Sequence, residues 1–112
     1  MRWYSSKVRL VVLMEKQGAT RYSDSVFLFR AEDFDQAFQR ALELGRAQEE
    51  EYVGGEGEKV RWRLKEVVSL DVLGDELDGA EVYSEPVSLA PGEAYAFDVA
   101  FEPEKSQPTQ TV

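Results

Sequence analysis

Cysteine and histidine are both absent from this chain of 112 residues. Their absence removes disulfides, zinc and iron–sulfur sites built on thiolate or imidazole ligands, thiol nucleophiles, and every catalytic triad that needs an imidazole base. A general base would have to be a shifted Glu, Lys or Tyr, and no spacing singles one out. Asparagine and isoleucine are missing too, and Arg outnumbers Lys, a usage that points to a GC-rich bacterial genome. Long hydrophobic runs are lacking as well. The apolar stretch from Val8 to Met14 is interrupted by Arg9 and has no small-residue cleavage site, so neither a secretory signal nor a membrane span is expected. A cytoplasmic location is the economical expectation.

Basic charge is the other scarcity. Thirteen basic residues face twenty-two acidic ones, for a net charge of −9. Such a surface repels phosphate backbones and anionic lipid on average, which disfavours nucleic acid and membrane as partners. The positive charge is concentrated in Met1–Arg30 and in the short run Lys59–Lys65, while Glu32–Glu58 and Glu66–Val112 are strongly acidic. What remains is 43% hydrophobic and 31% charged, the balance of one folded domain.

The first segment, Trp3 to Glu15, alternates. Tyr4, Ser6, Val8, Leu10, Val12 and Met14 fall on one face, and Trp3, Ser5, Lys7, Arg9, Val11 and Leu13 on the other. Lys16 to Thr20 reads as a turn with Gly18 at positive φ, and Arg21 to Ala31 as a second strand, so the two form an antiparallel hairpin. Asp33 and Gln36 make a capping box, after which Phe34, Ala37, Phe38, Ala41, Leu42 and Gly45 recur at helical spacing to about Glu50. Val53–Glu58 is a glycine-rich loop. Lys59 to Val72 is a third strand, with Val60, Trp62, Leu64, Val68, Leu70 and Val72 on one face, broken by Glu66. Arg61, Arg63, Lys65, Val67, Ser69 and Asp71 share its other face. Ala80–Ser84 reads as a short fourth strand, and Tyr95, Phe97, Val99 and Phe101 alternate as a fifth. From Pro103 the chain is polar and proline-containing, and reads as a disordered tail of residues 103–112 behind a single domain of residues 1–102.

The expected fold is therefore α+β: an antiparallel sheet of four to five strands, in the order β-β-α-β-β with a possible extra strand, and one helix packed on one face. One helix covers one face. The other would still carry Val11, Leu13, Val67 and, by the same reading, Phe27 and Phe29. An apolar patch of that extent marks an interface, covered either by Tyr95–Phe101 or by a second copy of the chain. Trp3 and Tyr83 join Val11, Leu13 and Val67 as candidate interface residues, and Trp62 reads as a core anchor.

Read this way, the chain resembles the family known as domain of unknown function 4288. The likeness is carried by Trp3-Tyr4-Ser5-Ser6-Lys7, by Asp24-Ser25, by Ala31-Glu32, and by Ala37, Ala41 and Gly45 on the helix. Trp62 and the closing Gly79-Ala80-Glu81-Val82-Tyr83-Ser84 complete it. It spans about Trp3 to Ser84. Glu85–Val112 lies beyond the pattern, and the resemblance implies no activity, cofactor or catalytic residue.

Site chemistry is sparse. No Glu-x-Lys occurs, Glu49-Glu50-Glu51 reads as a solvated run, and Asp71, Asp75, Glu76 and Asp78 miss the EF-hand spacing, so no metal or cofactor is expected. Gly54-Gly55-Glu56-Gly57 lacks the ending of a phosphate loop. An enzyme is not expected. The one constellation is basic: Lys7 and Arg9 share a face, as do Arg61, Arg63 and Lys65, and adjacent strands would align them as a cationic stripe ending at Trp3. Such a stripe either tracks a single-stranded nucleic acid or is a solvated face paired with carboxylates. The leading expectation is a non-catalytic domain acting by protein contact, as a homodimer joined by sheet faces or edges. The alternatives are an immunity-type inhibitor of a basic toxin and single-stranded nucleic-acid binding.

Overall fold

The first hairpin sets the frame, because its turn fixes which side chains face which. In the computed structural model, which describes residues 1–109, β1 (Arg2–Met14) and β2 (Gly18–Ala31) pair antiparallel along their whole length. Gly18 takes the positive φ of 74° that the tight turn requires. α1 (Phe34–Arg46) follows, capped by the Asp33 carboxylate, which accepts the Gln36 N–H at 2.8 Å, while the Gln36 side chain accepts from the Glu32 N–H. The chain then forms β3 (Glu50–Val53) and β4 (Lys59–Gly74). The four strands make one antiparallel sheet in the order β2-β1-β4-β3, confirming the α+β architecture.

Several elements differ from the sequence reading. The helix ends at Arg46 rather than near Glu50, and the segment assigned to helix end and loop supplies β3. β4 runs on to Gly74. Ala80–Ser84 and Tyr95–Phe101 are not strands. After Gly74 the described chain has one element, a single turn of 3-10 helix at Pro103–Lys105. Neither segment has a neighbouring strand to pair with, so a period of two is left without the hydrogen bonds that make it a strand. Val87, Leu89, Tyr95, Phe97 and Phe101 are exposed. The radius of gyration is 18.8 Å, against about 13 Å for a compact chain of this length, because the C-terminal segment stands away from the sheet. The last three residues of the expected tail lie outside the described residues.

The core lies between α1 and the even-numbered face of β1. Tyr4, Phe29, Ala31, Ala37 and Ala41 form its centre, with Phe27, Leu44, Val67 and Leu70 packed around them. Small residues on α1 let it sit close: a Cβ at Gly45 would come within 2.7 Å of Leu64 Cδ1. Phe27, Phe29 and Val67, expected on the opposite side, belong to this core. For Phe27 and Phe29 the cause is the hairpin register, which pairs Phe29 with Tyr4 and Phe27 with Ser6; Val26 and Leu28 point the other way instead.

For Val67 the cause is in β4. Its register against β1 slips at three places, between Trp3 and Tyr4, Lys7 and Val8, and Arg9 and Leu10, each leaving one β4 residue without a partner. The slip at Lys65 reverses the faces of Glu66 and Val67, and the slip at Val68 restores the original alternation from Ser69 onward. Glu66, which interrupted the apolar face in the sequence, thereby turns outward against Arg9, and Val67 turns inward opposite Val8.

Candidate functional site

The face of the sheet away from α1 is where the charged residues converge. β1 and β4 are neighbours, so Lys7, Arg9, Val11 and Leu13 from β1 lie beside Arg61, Arg63, Glu66 and Ser69 from β4. β2 adds Tyr22, Asp24, Val26, Leu28 and Arg30 along its free edge. The five basic residues singled out from the sequence do share this face. Each of them also has an acidic partner.

Arg9 donates from Nε and Nη2 to the two oxygens of Asp24, at 2.8 and 2.9 Å, a bidentate pair. Its Nη1 lies 3.7 Å from Glu66. Lys7 Nζ lies 3.5 Å from Asp24 and 3.6 Å from Glu85. Arg61 and Arg63 both reach Glu51 on β3, at 2.9 and 3.8 Å, and Lys65 lies 3.6 Å from Glu66. Arg9 and Lys65 also flank the Tyr22 ring, at 5.3 and 5.6 Å from its centre. The stripe is a lattice of alternating charge.

These neighbours set the ionisation of the cluster. The hydrogen bonds from Arg9, followed by those from Lys7, hold the Asp24 carboxyl below the usual carboxylate value. Lys7 is raised above its ordinary value, chiefly by its hydrogen bond to the Tyr83 hydroxyl and then by Asp24.

Tyr83 arrives from outside the sheet. Beyond the turn at Gly74 the chain doubles back, and Ala80–Ser84 forms a strap over the outward face. Its anchor is the Tyr83 hydroxyl, which accepts from Lys7 Nζ at 2.6 Å and donates to Glu85 at 2.9 Å, with the ring 5.0 Å from the ammonium. Beneath it, Ser5 is only 1% exposed although its side chain points outward, and the Ser69 hydroxyl is buried without a hydrogen-bond partner. An open cleft of about 390 Å³ separates the strap from Asp71–Leu73. The rest of the face is uncovered. Val26 and Leu28 are 44% and 45% exposed, Val11 and Leu13 are half-buried, and Trp3 lies under Arg30, 5.5 Å from its guanidinium carbon.

The sequence reading named the cations and expected carboxylates beside them without saying which. Asp24 comes opposite Arg9 only through the turn that pairs Met14 with Gly18 together with a register shift between Val12 and Leu13, neither of which the strand boundaries read from the sequence supply. Glu66 required the slip in β4, and Glu51 required β3. Glu49-Glu50-Glu51 is more than a solvated run, since Glu49 accepts the Leu64 N–H at 3.0 Å and Glu51 binds two arginines. Trp62 sits on the α1 side beyond the helix end, donating to the Tyr52 hydroxyl at 3.2 Å with Arg21 over its ring. Among the described residues, no cluster of three or more acidic side chains is arranged to hold a metal ion, and no helix is long and apolar enough to cross a membrane.

Comparison with curated proteins and with solved structures gave no match. A family profile does match, over residues 3–84, taking in the whole sheet, α1 and the strap through Tyr83 and stopping where the exposed C-terminal segment begins. Sheet, helix and strap together make this chain a member of the family described as Domain of unknown function (DUF4288).

Proposed function

We propose that this chain is a non-catalytic cytoplasmic domain that works through protein–protein contact, as a homodimer. The observation that carries the reading is the free edge of the sheet. Among the described residues, β2 is a 14-residue edge strand with no neighbour on one side, and Val26 and Leu28 stand exposed along it. A long edge with apolar side chains is a template for pairing with another chain.

The charged cluster supports the same reading by what it is poised to do. General acid–base catalysis near neutrality needs a group whose pKa lies near 7. Here Asp24 is pushed down and Lys7 up, each away from that point. Each cation of the stripe is matched by a carboxylate, so binding a phosphate backbone would require breaking ion pairs as well as overcoming a net charge of −9.

Light scattering at two concentrations tests the reading. A mass of twice the 12.7 kDa chain at the higher concentration is expected, and a strict monomer throughout overturns the homodimer. A labelled single-stranded oligonucleotide should show no binding at low salt. Salt-dependent binding lost in Arg61→Ala/Arg63→Ala would replace protein contact with nucleic-acid recognition.

A further inference from the structure

Beyond Tyr22, the outward side chains of β2 are, in order, Asp24, Val26, Leu28 and Arg30: an acid, two apolar residues and a base. From this arrangement we infer that the partner of the β2 edge is the β2 edge of a second copy, paired antiparallel with its twofold axis at Phe27. The inference rests on the homodimer reading and adds to it the contact surface and the register.

The argument is one of symmetry. Two antiparallel strands related by a twofold axis normal to the sheet keep their faces, so every residue lies opposite one of the same parity. With the axis at Phe27, Asp24 faces Arg30 of the second copy and Val26 faces its Leu28, and each contact occurs twice. Opposite charges and apolar pairs placed directly across a ladder are the stabilising combinations. Neighbouring registers lack this match. An axis at Val26 sets Asp24 against Leu28, and one at Ser25 sets it against Val26. An axis at Leu28 sets Asp24 against Glu32 and Val26 against Arg30, and one at Asp24 opposes the carboxylate to itself.

The surroundings fit. Asp24 is held in place by Arg9, with its side chain still 28% exposed, and Arg30 is held over Trp3, so both partners of the intermolecular pair are already positioned. The paired stretch, Ser23–Ala31, lies wholly within β2. The same axis puts both helices on one face of a continuous eight-stranded sheet and both straps on the other, where neither obstructs the edge.

Because the chain contains no cysteine, single introduced cysteines read the register directly. Val26→Cys and Leu28→Cys are exposed positions whose substitution leaves the core intact. Under mild oxidation, an equimolar mixture of the two variants should form disulfide-linked dimers, whereas each variant alone should not, because like positions are then too far apart to bridge. Cross-linking of Val26→Cys alone or Leu28→Cys alone would show another register and overturn the inference. No cross-link in any arm, with the dimer still present by light scattering, would overturn edge pairing while leaving the homodimer standing. A monomer would remove both. Independently, Arg30→Glu should raise the dimer dissociation constant by about tenfold, since it sets like charges opposite each other twice. An unchanged constant would count against the Asp24–Arg30 contact.

Discussion

The Lys7 ammonium donates to the Tyr83 hydroxyl across 2.6 Å, although 76 positions separate the two residues. That contact ties the last residues of the family match to the middle of the first strand. It also explains why a helix on one side of the sheet suffices: the strap covers the middle of the second side, the ion-pair lattice hydrates the next part, and the β2 edge is left open.

Removing the anchor should therefore expose Lys7. In Tyr83→Ala, acylation of the Lys7 amine, followed by mass spectrometry, should speed up several-fold relative to the exposed Lys105. Tyr83→Phe, which keeps the ring over the ammonium, should lie between the two. Unchanged labelling of Lys7 in Tyr83→Ala would show that the strap does not hold it.

The same cluster makes stability depend on pH at both ends. Asp24 has a folded-state pKa below its unfolded value, because Arg9 and then Lys7 bind the carboxylate. Its contribution is present above the ordinary carboxylate value of 3.8 and is lost as pH falls through the folded value. Lys7 is shifted upward, chiefly by Tyr83, so its contribution is complete below 10.5 and is lost as pH rises through the folded value. Denaturant titrations across pH should show stability declining below about pH 4, and Asp24→Asn should flatten that acid limb while only weakening the alkaline one, because Tyr83 is the larger cause of the Lys7 shift and Asp24 the smaller.

How much of this was legible depends on whether a feature is local. The hairpin, the Asp33 cap and the small-residue stripe of α1 come from neighbouring positions, and each appears where the spacing predicts. β3 is different: Glu50 and Glu51 are poor strand formers, and the strand is set by its antiparallel pairing with β4, alongside which Arg61, ten positions on, binds Glu51. Ala80–Ser84 and Tyr95–Phe101 err the other way, with the right alternation but no partner strand. Val67 changed sides because Glu66-Val67-Val68 breaks the alternation, the mark of a bulge in an otherwise regular strand. Tyr83 was legible as a contact residue, and its contact is this chain's own Lys7.

Close packing of α1 against β4 makes Gly45 a sensitive position. Gly45→Ala gains about 1 kcal/mol of helix propensity, offset by displacing the Leu64 methyl that lies 2.7 Å from the new Cβ. Its stability should stay within about 1 kcal/mol of the wild type. Gly45→Val adds two further methyl groups to the same contact and should cost about 2–3 kcal/mol in denaturant unfolding. Equal stability of the two variants would mean that α1 can lift from the sheet at that end.

Glu58 tests how the two hairpin turns are joined. It is only 6% exposed, and its carboxylate accepts the Lys16 backbone N–H from the turn between β1 and β2. Alongside, the Glu15 N–H donates to the Lys59 carbonyl at 3.0 Å and the Lys59 N–H donates to the Glu15 carboxylate at 3.3 Å, so the turns clasp each other. Glu58→Ala leaves the Lys16 N–H without its acceptor and opens a void, which should lower unfolding free energy by about 1–3 kcal/mol. Glu58→Gln keeps an acceptor oxygen in the same place and should recover most of that loss. If Gln were as damaging as Ala, the negative charge, rather than the hydrogen bond, would be what holds the turns together.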